Sequence, residues 1–260
     1  MNLVDLPSVT YHTKDAMPTV SVNTPIAEIL SAALTENGDT IRLAVELTLP
    51  MVRQEIQAFD DLRNADSRKH ARACLLFAIL SPQLDFDKNV ELAAKYTAAI
   101  DRIETLDDVR DLMFATSRDG ERQVRVNLWQ TKVANVWASL EYIRNATAAD
   151  MTKAAIMAAR KRGDIFGMSH KTAALASHLF DARSEAFTLD IWMLRLAMLA
   201  AGMNPAVTVS ATDKGYETLE RAWIAWAREN FPNETLFAVQ WAAWNTAGFG
   251  QHVSHLGIFG

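Results

Sequence analysis

The stretch Gly167-Met168-Ser169-His170-Lys171-Thr172-Ala173, followed by Asp190 at 190 − 171 = 19 residues beyond its lysine, decides how the chain is read. A small-residue turn opens a helix, and the lysine stands at the start of that helix. Glycine at 167 permits close approach to another backbone. A turn of this kind at a helix start also exposes N–H groups able to hold a phosphate, here those of Met168, Ser169 and His170. A lysine amine and a carboxylate held face to face are the equipment for attacking a sugar carbon and forming a Schiff base. Asp190, ahead of an apolar run, also reads as a helix N-cap. Capping and catalysis are compatible, because a cap is held rigidly. Taken alone, an ordinary interhelical turn and a solvated lysine account for the same residues.

The rest of the chain sets the frame. Its 260 residues, half of them apolar, suit one large domain or two intimately packed lobes. No apolar run approaches the length of a membrane span, and Met1 to Asn23 lack the pattern of a signal peptide. A soluble protein of the cytoplasm or nucleoid (the host cytoplasm if viral) is expected. Cys74 is the only cysteine. That excludes an internal disulfide and an iron–sulfur cluster held by four cysteines of one chain. It lies in an apolar helical run and reads as a buried structural thiol. The formal net charge of -5 argues mildly against a nucleic-acid ligand, but the charge is uneven. Residues 1–66 carry four Lys/Arg against ten Asp/Glu, whereas residues 151–200 carry seven against four, with Arg160, Lys161 and Arg162 adjacent. The lysine motif therefore sits in a basic region, although a solvated charged face explains a three-residue cluster equally well.

Helical periodicity dominates. Thr24-Pro25 reads as an N-cap with proline at the first helical position, and Asn37-Gly38 as the stop. Further helices are expected near 40–49, 51–63, 67–80, 87–101, 106–116, 122–145, 149–161, 171–180, 190–201, 213–229 and 234–246. Ser21-Val22-Asn23 and Val207-Thr208-Val209 read as too short to build a sheet. Residues 1–23 read as a loose arm ahead of a domain over 24–260. The loops at 81–85 and 116–120 interrupt the helical flow. The fold class is all-α.

The segments 165–175 and 187–195 resemble the helix–hairpin–helix DNA glycosylase superfamily, which includes endonuclease III and the 8-oxoguanine glycosylases. Members carry a Gly-x-Gly-x-Lys hairpin and an aspartate eighteen or nineteen residues on. Gly167, Lys171 and Asp190 match; Ser169 replaces the second glycine. Ala78-Ile-Leu-Ser-Pro-Gln83 resembles the superfamily's Leu-Ser-x-Gln loop, which inserts into the duplex. Arg125-Val-Asn-Leu-Trp-Gln-Thr-Lys132 resembles the segment before its long helix, and residues 216–244 its C-terminal helical closure. The resemblance implies two interleaved helical lobes with a DNA cleft between them. It also implies action on double-stranded DNA with a flipped-out base; a monomer is expected. In that reading Lys171 attacks C1′, Asp190 stabilises positive charge on the sugar and shuttles protons, and no cofactor or metal takes part.

Further candidates follow from their types. Gln83 suits the gap left by a flipped base. Arg118, Arg122, Arg125 and Lys132 suit phosphates. His170 adjoins the lysine; His178 reads as a helix-flank residue. His252 and His255 lack a third metal ligand nearby. Trp223, Trp226, Trp241 and Trp244 recur at core-facing spacings, and Trp244 or Phe249 suits stacking on an extruded base. The leading function is a base-excision glycosylase with AP-lyase activity. A second reading keeps the fold but makes the protein a viral glycosylase-like transferase, joining an amino acid or amine to activated 5-hydroxymethyluracil in DNA. A third is a non-catalytic DNA-binding module.

Overall fold

The computed structural model describes residues 19–84, 86–113, 128–203 and 208–246. Helix dominates and sheet is slight, in keeping with an all-α class. The chain divides into two compact units. Described residues 19–50 and 189–246 fall in the first, and those within 51–188 in the second.

The first unit joins the two ends of the chain. Strand β1 (Thr19–Val22) pairs in parallel with β2 (Thr208–Ala211), so Val22 faces Ala211 across the ladder. Both segments were expected to be too short for a sheet, and residues 19–22 to belong to a loose arm. They form a ribbon because each supplies the other's backbone partner, far beyond the reach of local sequence patterns. Helix α1 (Thr24–Asn37) follows. Its cap lies one residue earlier than expected: Asn23 Oδ1 accepts the Ile26 N–H at 3.2 Å. Ala27, Leu30 and Leu34 are buried on α1, which packs on α11 (Asp213–Asn230) and α10 (Ile191–Ala200). Helix α12 (Leu236–Trp244) completes the unit. Trp223, Trp226 and Trp241 are buried, as their spacing predicted, and Trp223 meets Trp226 edge-on at 5.3 Å.

Helix α2 (Asp39–Ala65) is one 27-residue helix that runs from the first unit into the second, where two helices were expected. Pro50 lies inside it. Proline removes one helical hydrogen bond, yet Val45, Leu49, Val52 and Phe59 stay buried on both sides of it. Their spacings of four, three and seven residues form a single helical stripe, so side-chain burial outweighs the lost bond.

The second unit is built around α3 (Ser67–Leu80), with every residue from Cys74 to Leu80 buried. It packs on α4 (Phe86–Ala99) and α9 (His170–Phe180). Asp66 Oδ1 caps it through the Lys69 N–H at 2.9 Å. Cys74 is fully enclosed, and burial pushes its thiol far up, which removes it as a nucleophile. The unit continues through α5 (Leu106–Met113), α6 (Trp129–Ala138), α7 (Leu140–Asn145) and α8 (Lys153–Arg162). A continuous helix was expected over 122–145. Its described part breaks at Ser139, whose hydroxyl turns back to the Asn135 carbonyl at 2.7 Å. Arg72 donates to the Arg144 carbonyl, and Arg144 in turn to that of Ile100 at 3.0 Å. Among the described residues, no helix is long and apolar enough to cross a membrane.

One contact tests the ribbon. Gly215, in the first turn of α11, lies so close to Val22 that a Cβ there would run into the Val22 carbonyl oxygen. That carbonyl also accepts the Thr212 N–H at 3.1 Å. Gly215→Ala is expected to lower stability by about 1–3 kcal/mol, read as a fall in the urea midpoint at unchanged slope. An unchanged midpoint would show that β1 does not lie against α11.

Candidate functional site

Helix α8 stops at Gly163, and the connection 163–169 leads into α9. Gly163 N–H bonds to the Arg160 carbonyl at 3.1 Å and Asp164 N–H to that of Ala159 at 3.0 Å. Phe166 N–H reaches the Ser139 hydroxyl at 2.8 Å. The connection is thus tied to the break between α6 and α7. Gly167 has φ 74°, and a Cβ there would stand 2.5 Å from Asn135 Nδ2. Both backbone angle and space require glycine.

Ser169 explains the departure from a two-glycine hairpin. Its backbone is extended, with φ -112° and ψ 176°, so no glycine is needed. Its hydroxyl accepts the Thr172 N–H at 3.2 Å, and its own N–H donates to Thr172 Oγ1 at 2.6 Å. This reciprocal capping box starts α9. It also engages one N–H expected to face phosphate. The N–H groups of Met168 and Lys171 have no partner among the described residues. The Met168 side chain is buried and anchors the turn, and His170 is half-buried. Lys171 is exposed, and among the described residues its amine makes no ion pair or hydrogen bond.

Asp190 belongs to the first unit, whereas Lys171 belongs to the second. As expected, Asp190 caps α10: its Oδ1 accepts the N–H groups of Trp192 at 2.9 Å and Met193 at 3.1 Å. Its Oδ2 accepts the Trp244 indole N–H at 2.8 Å. The structure therefore brings together two residues selected from sequence for separate roles. The preceding Leu189 N–H donates to the Tyr216 hydroxyl at 2.9 Å. Burial, then the nearby Glu220 carboxylate, raises that hydroxyl well above its ordinary pKa. Tyr216 is the positioning group that sequence reading missed, since nothing in a tyrosine on α11 points to residue 189.

Other candidates fall differently. Gln83 is exposed in a turn closed by Leu84 N–H to the Ser81 carbonyl at 3.2 Å. Its φ of 54°, after Pro82, is the arrangement of a type II turn, a position that favours glycine. Lys132 does not face a surface phosphate: it is 2% exposed, and its ammonium has no hydrogen-bond partner among the described residues. It falls on the packed side of α6 with Val133 and Val136. His178 is not a flank residue but fully buried, its Nε2 paired with the Ala186 carbonyl at 2.7 Å. Arg118, Arg122, Arg125, Phe249, His252 and His255 lie outside the described residues. Among the described residues, no group of three His, Cys, Asp or Glu side chains could hold a metal ion.

A cavity of about 440 Å³ opens in the second unit between α7 and the start of the connection. Glu141, Asp150 and Asp164 line it, with Tyr142. Burial, then the Asp150 carboxylate, pushes the Tyr142 hydroxyl up to about 12. A lining of this charge repels a phosphodiester.

The chain belongs to a family described as a family of unknown function, DUF7178, whose model matches residues 57–247. No curated protein and no solved structure matches it.

The buried lysine has a measurable consequence. Burial pulls Lys132 down to about 8, against about 10.4 for an unfolded lysine. The enclosed ammonium therefore costs stability at every pH below about 8, and the cost is relieved as pH rises from there toward 10. Lys132→Met is expected to stabilise the protein at pH 7 by on the order of 1–3 kcal/mol. The gain should shrink steadily by pH 10, as read from urea midpoints at both pH values. Equal midpoints for the two proteins at pH 7 would mean that the amine is solvated.

Proposed function

We propose that this protein is a DNA base-excision glycosylase with associated AP-lyase activity, with Lys171 as nucleophile and Asp190 as its electrostatic partner. The observation that carries this reading is the exposed Lys171 amine in the first turn of α9, behind a turn that admits only glycine at 167. Open N–H groups beside it suit an anionic backbone. The rigid carboxylate of Asp190, capping the next helix, suits a site where positive charge develops on a sugar. The acidic cavity on the α7 side makes the α9 side the favourable approach for DNA.

The reaction follows from these groups. The target nucleotide leaves the stack. The neutral Lys171 amine attacks C1′ as the glycosidic bond breaks, and the departing base carries away the bonding electrons and takes up a proton. Ring opening yields an imine between Nζ and C1′. Loss of a C2′ proton then expels the 3′ phosphate by β-elimination. Asp190 stabilises the cationic sugar and relays protons. Gln83, on its exposed turn, fills the vacated place in the duplex.

Borohydride reduction of the imine provides the test. Incubation with duplexes bearing oxidised purines or pyrimidines should yield a covalent protein–DNA adduct, and Lys171→Ala should lower its yield by at least about a hundredfold. No adduct over a broad lesion panel, or an undiminished adduct in the variant, overturns the assignment. Nucleoside mass spectrometry on the same reactions separates excision, which frees a base, from transfer, which leaves an altered base attached.

A further inference from the structure

We infer that Trp244 is the positioning residue of Asp190, and that the contacts of this carboxylate with the described residues leave one lone pair, on Oδ2, for chemistry. The catalytic consequence rests on the glycosylase reading; the positioning contact stands independently of it.

An ionised carboxylate offers about four lone-pair sites. The two backbone N–H groups at the start of α10 occupy Oδ1, at 2.9 and 3.1 Å. The indole N–H occupies one site on Oδ2, at 2.8 Å, a charge-assisted bond that fixes the carboxylate plane as well as its place. Only the remaining Oδ2 site can face a reacting sugar or take a proton. The indole is itself held. Its ring stacks on Trp241 with centroids 5.3 Å apart and an interplanar angle of 29°, and Trp241 meets Phe237 edge-on at 5.2 Å. Both of those rings are buried. Trp244 therefore has one face and its sole polar atom engaged within the protein. A ring so engaged acts as a strut for the carboxylate, in place of the base-stacking role expected from sequence. The bond from Leu189 N–H to the Tyr216 hydroxyl holds the backbone on the other side of Asp190.

Two measurements on the full chain test this. In a protein carrying ¹⁵N-labelled tryptophan, the Trp244 indole signal, assigned by its loss in Trp244→Phe, should lie downfield and exchange slowly. It should shift upfield in Asp190→Asn, since a single amide oxygen cannot serve both the backbone N–H groups and the indole. An indole signal indifferent to Asp190→Asn overturns the inference. Trp244→Phe keeps an aromatic ring but removes the donor. It should slow single-turnover adduct formation by roughly ten- to a hundredfold, with KM within about twofold of wild type. A base-stacking role gives the reverse pattern, with the rate retained in Trp244→Phe and KM raised in Trp244→Ala, and that result also overturns it. Should wild type form no adduct on any lesion, the excision reading falls while the indole signal still decides the positioning contact.

Discussion

Three helices of the first unit converge on two consecutive residues, Leu189 and Asp190. Asp190 starts α10 by capping two of its N–H groups, α12 contributes the Trp244 indole to the same carboxylate, and α11 contributes the Tyr216 hydroxyl to the Leu189 N–H. The first turn of a helix leaves N–H groups without intrahelical partners, and here a charged cap answers that need. Once the carboxylate is committed to α10, its other oxygen becomes an acceptor that a partly buried indole can use. A structural requirement of helix initiation and a rigidly held carboxylate thus arise from one side chain.

The second unit solves a matching problem at the start of α9 with neutral groups. Ser169 and Thr172 satisfy each other's backbone donors, and the hydroxyl of Ser139 receives the Phe166 N–H. With its turn tied to α6 and capped locally, α9 needs no charged residue to begin. Lys171 is left to solvent. The two helix starts therefore differ in kind: one is closed by an anion, and the other, among the described residues, keeps open donors and an unpaired cation.

Cationic side chains in the second unit serve two purposes that composition cannot separate. Arg72 and Arg144 spend their guanidinium donors on main-chain carbonyls within the unit. Lys132 is enclosed with no such partner among the described residues. Arg160, Lys161 and Arg162 at the end of α8 and Lys171 are exposed, as are Arg68, Lys69, Lys88 and Lys95 on α3 and α4. Counting Lys and Arg along a segment overstates the charge available to a ligand, because burial depends on which face of a helix each residue occupies.

The amino-acid sequence by itself determined the helical class, the burial of Cys74 and of the tryptophans at 223, 226 and 241, the turn at Gly167, and Asp190 as a cap. Each rests on interactions within a few residues: apolar periodicity, a φ that only glycine tolerates, a side chain bonding to the next turn. Only the tertiary structure decided the rest. β1 needs a strand nearly two hundred residues away; Pro50 survives inside α2 because a buried stripe continues across it; Trp244 meets Asp190 rather than standing alone; and Lys132 turns inward. These outcomes depend on partners distant in sequence, and local patterns carry no record of which side chain a folded chain brings to a given atom.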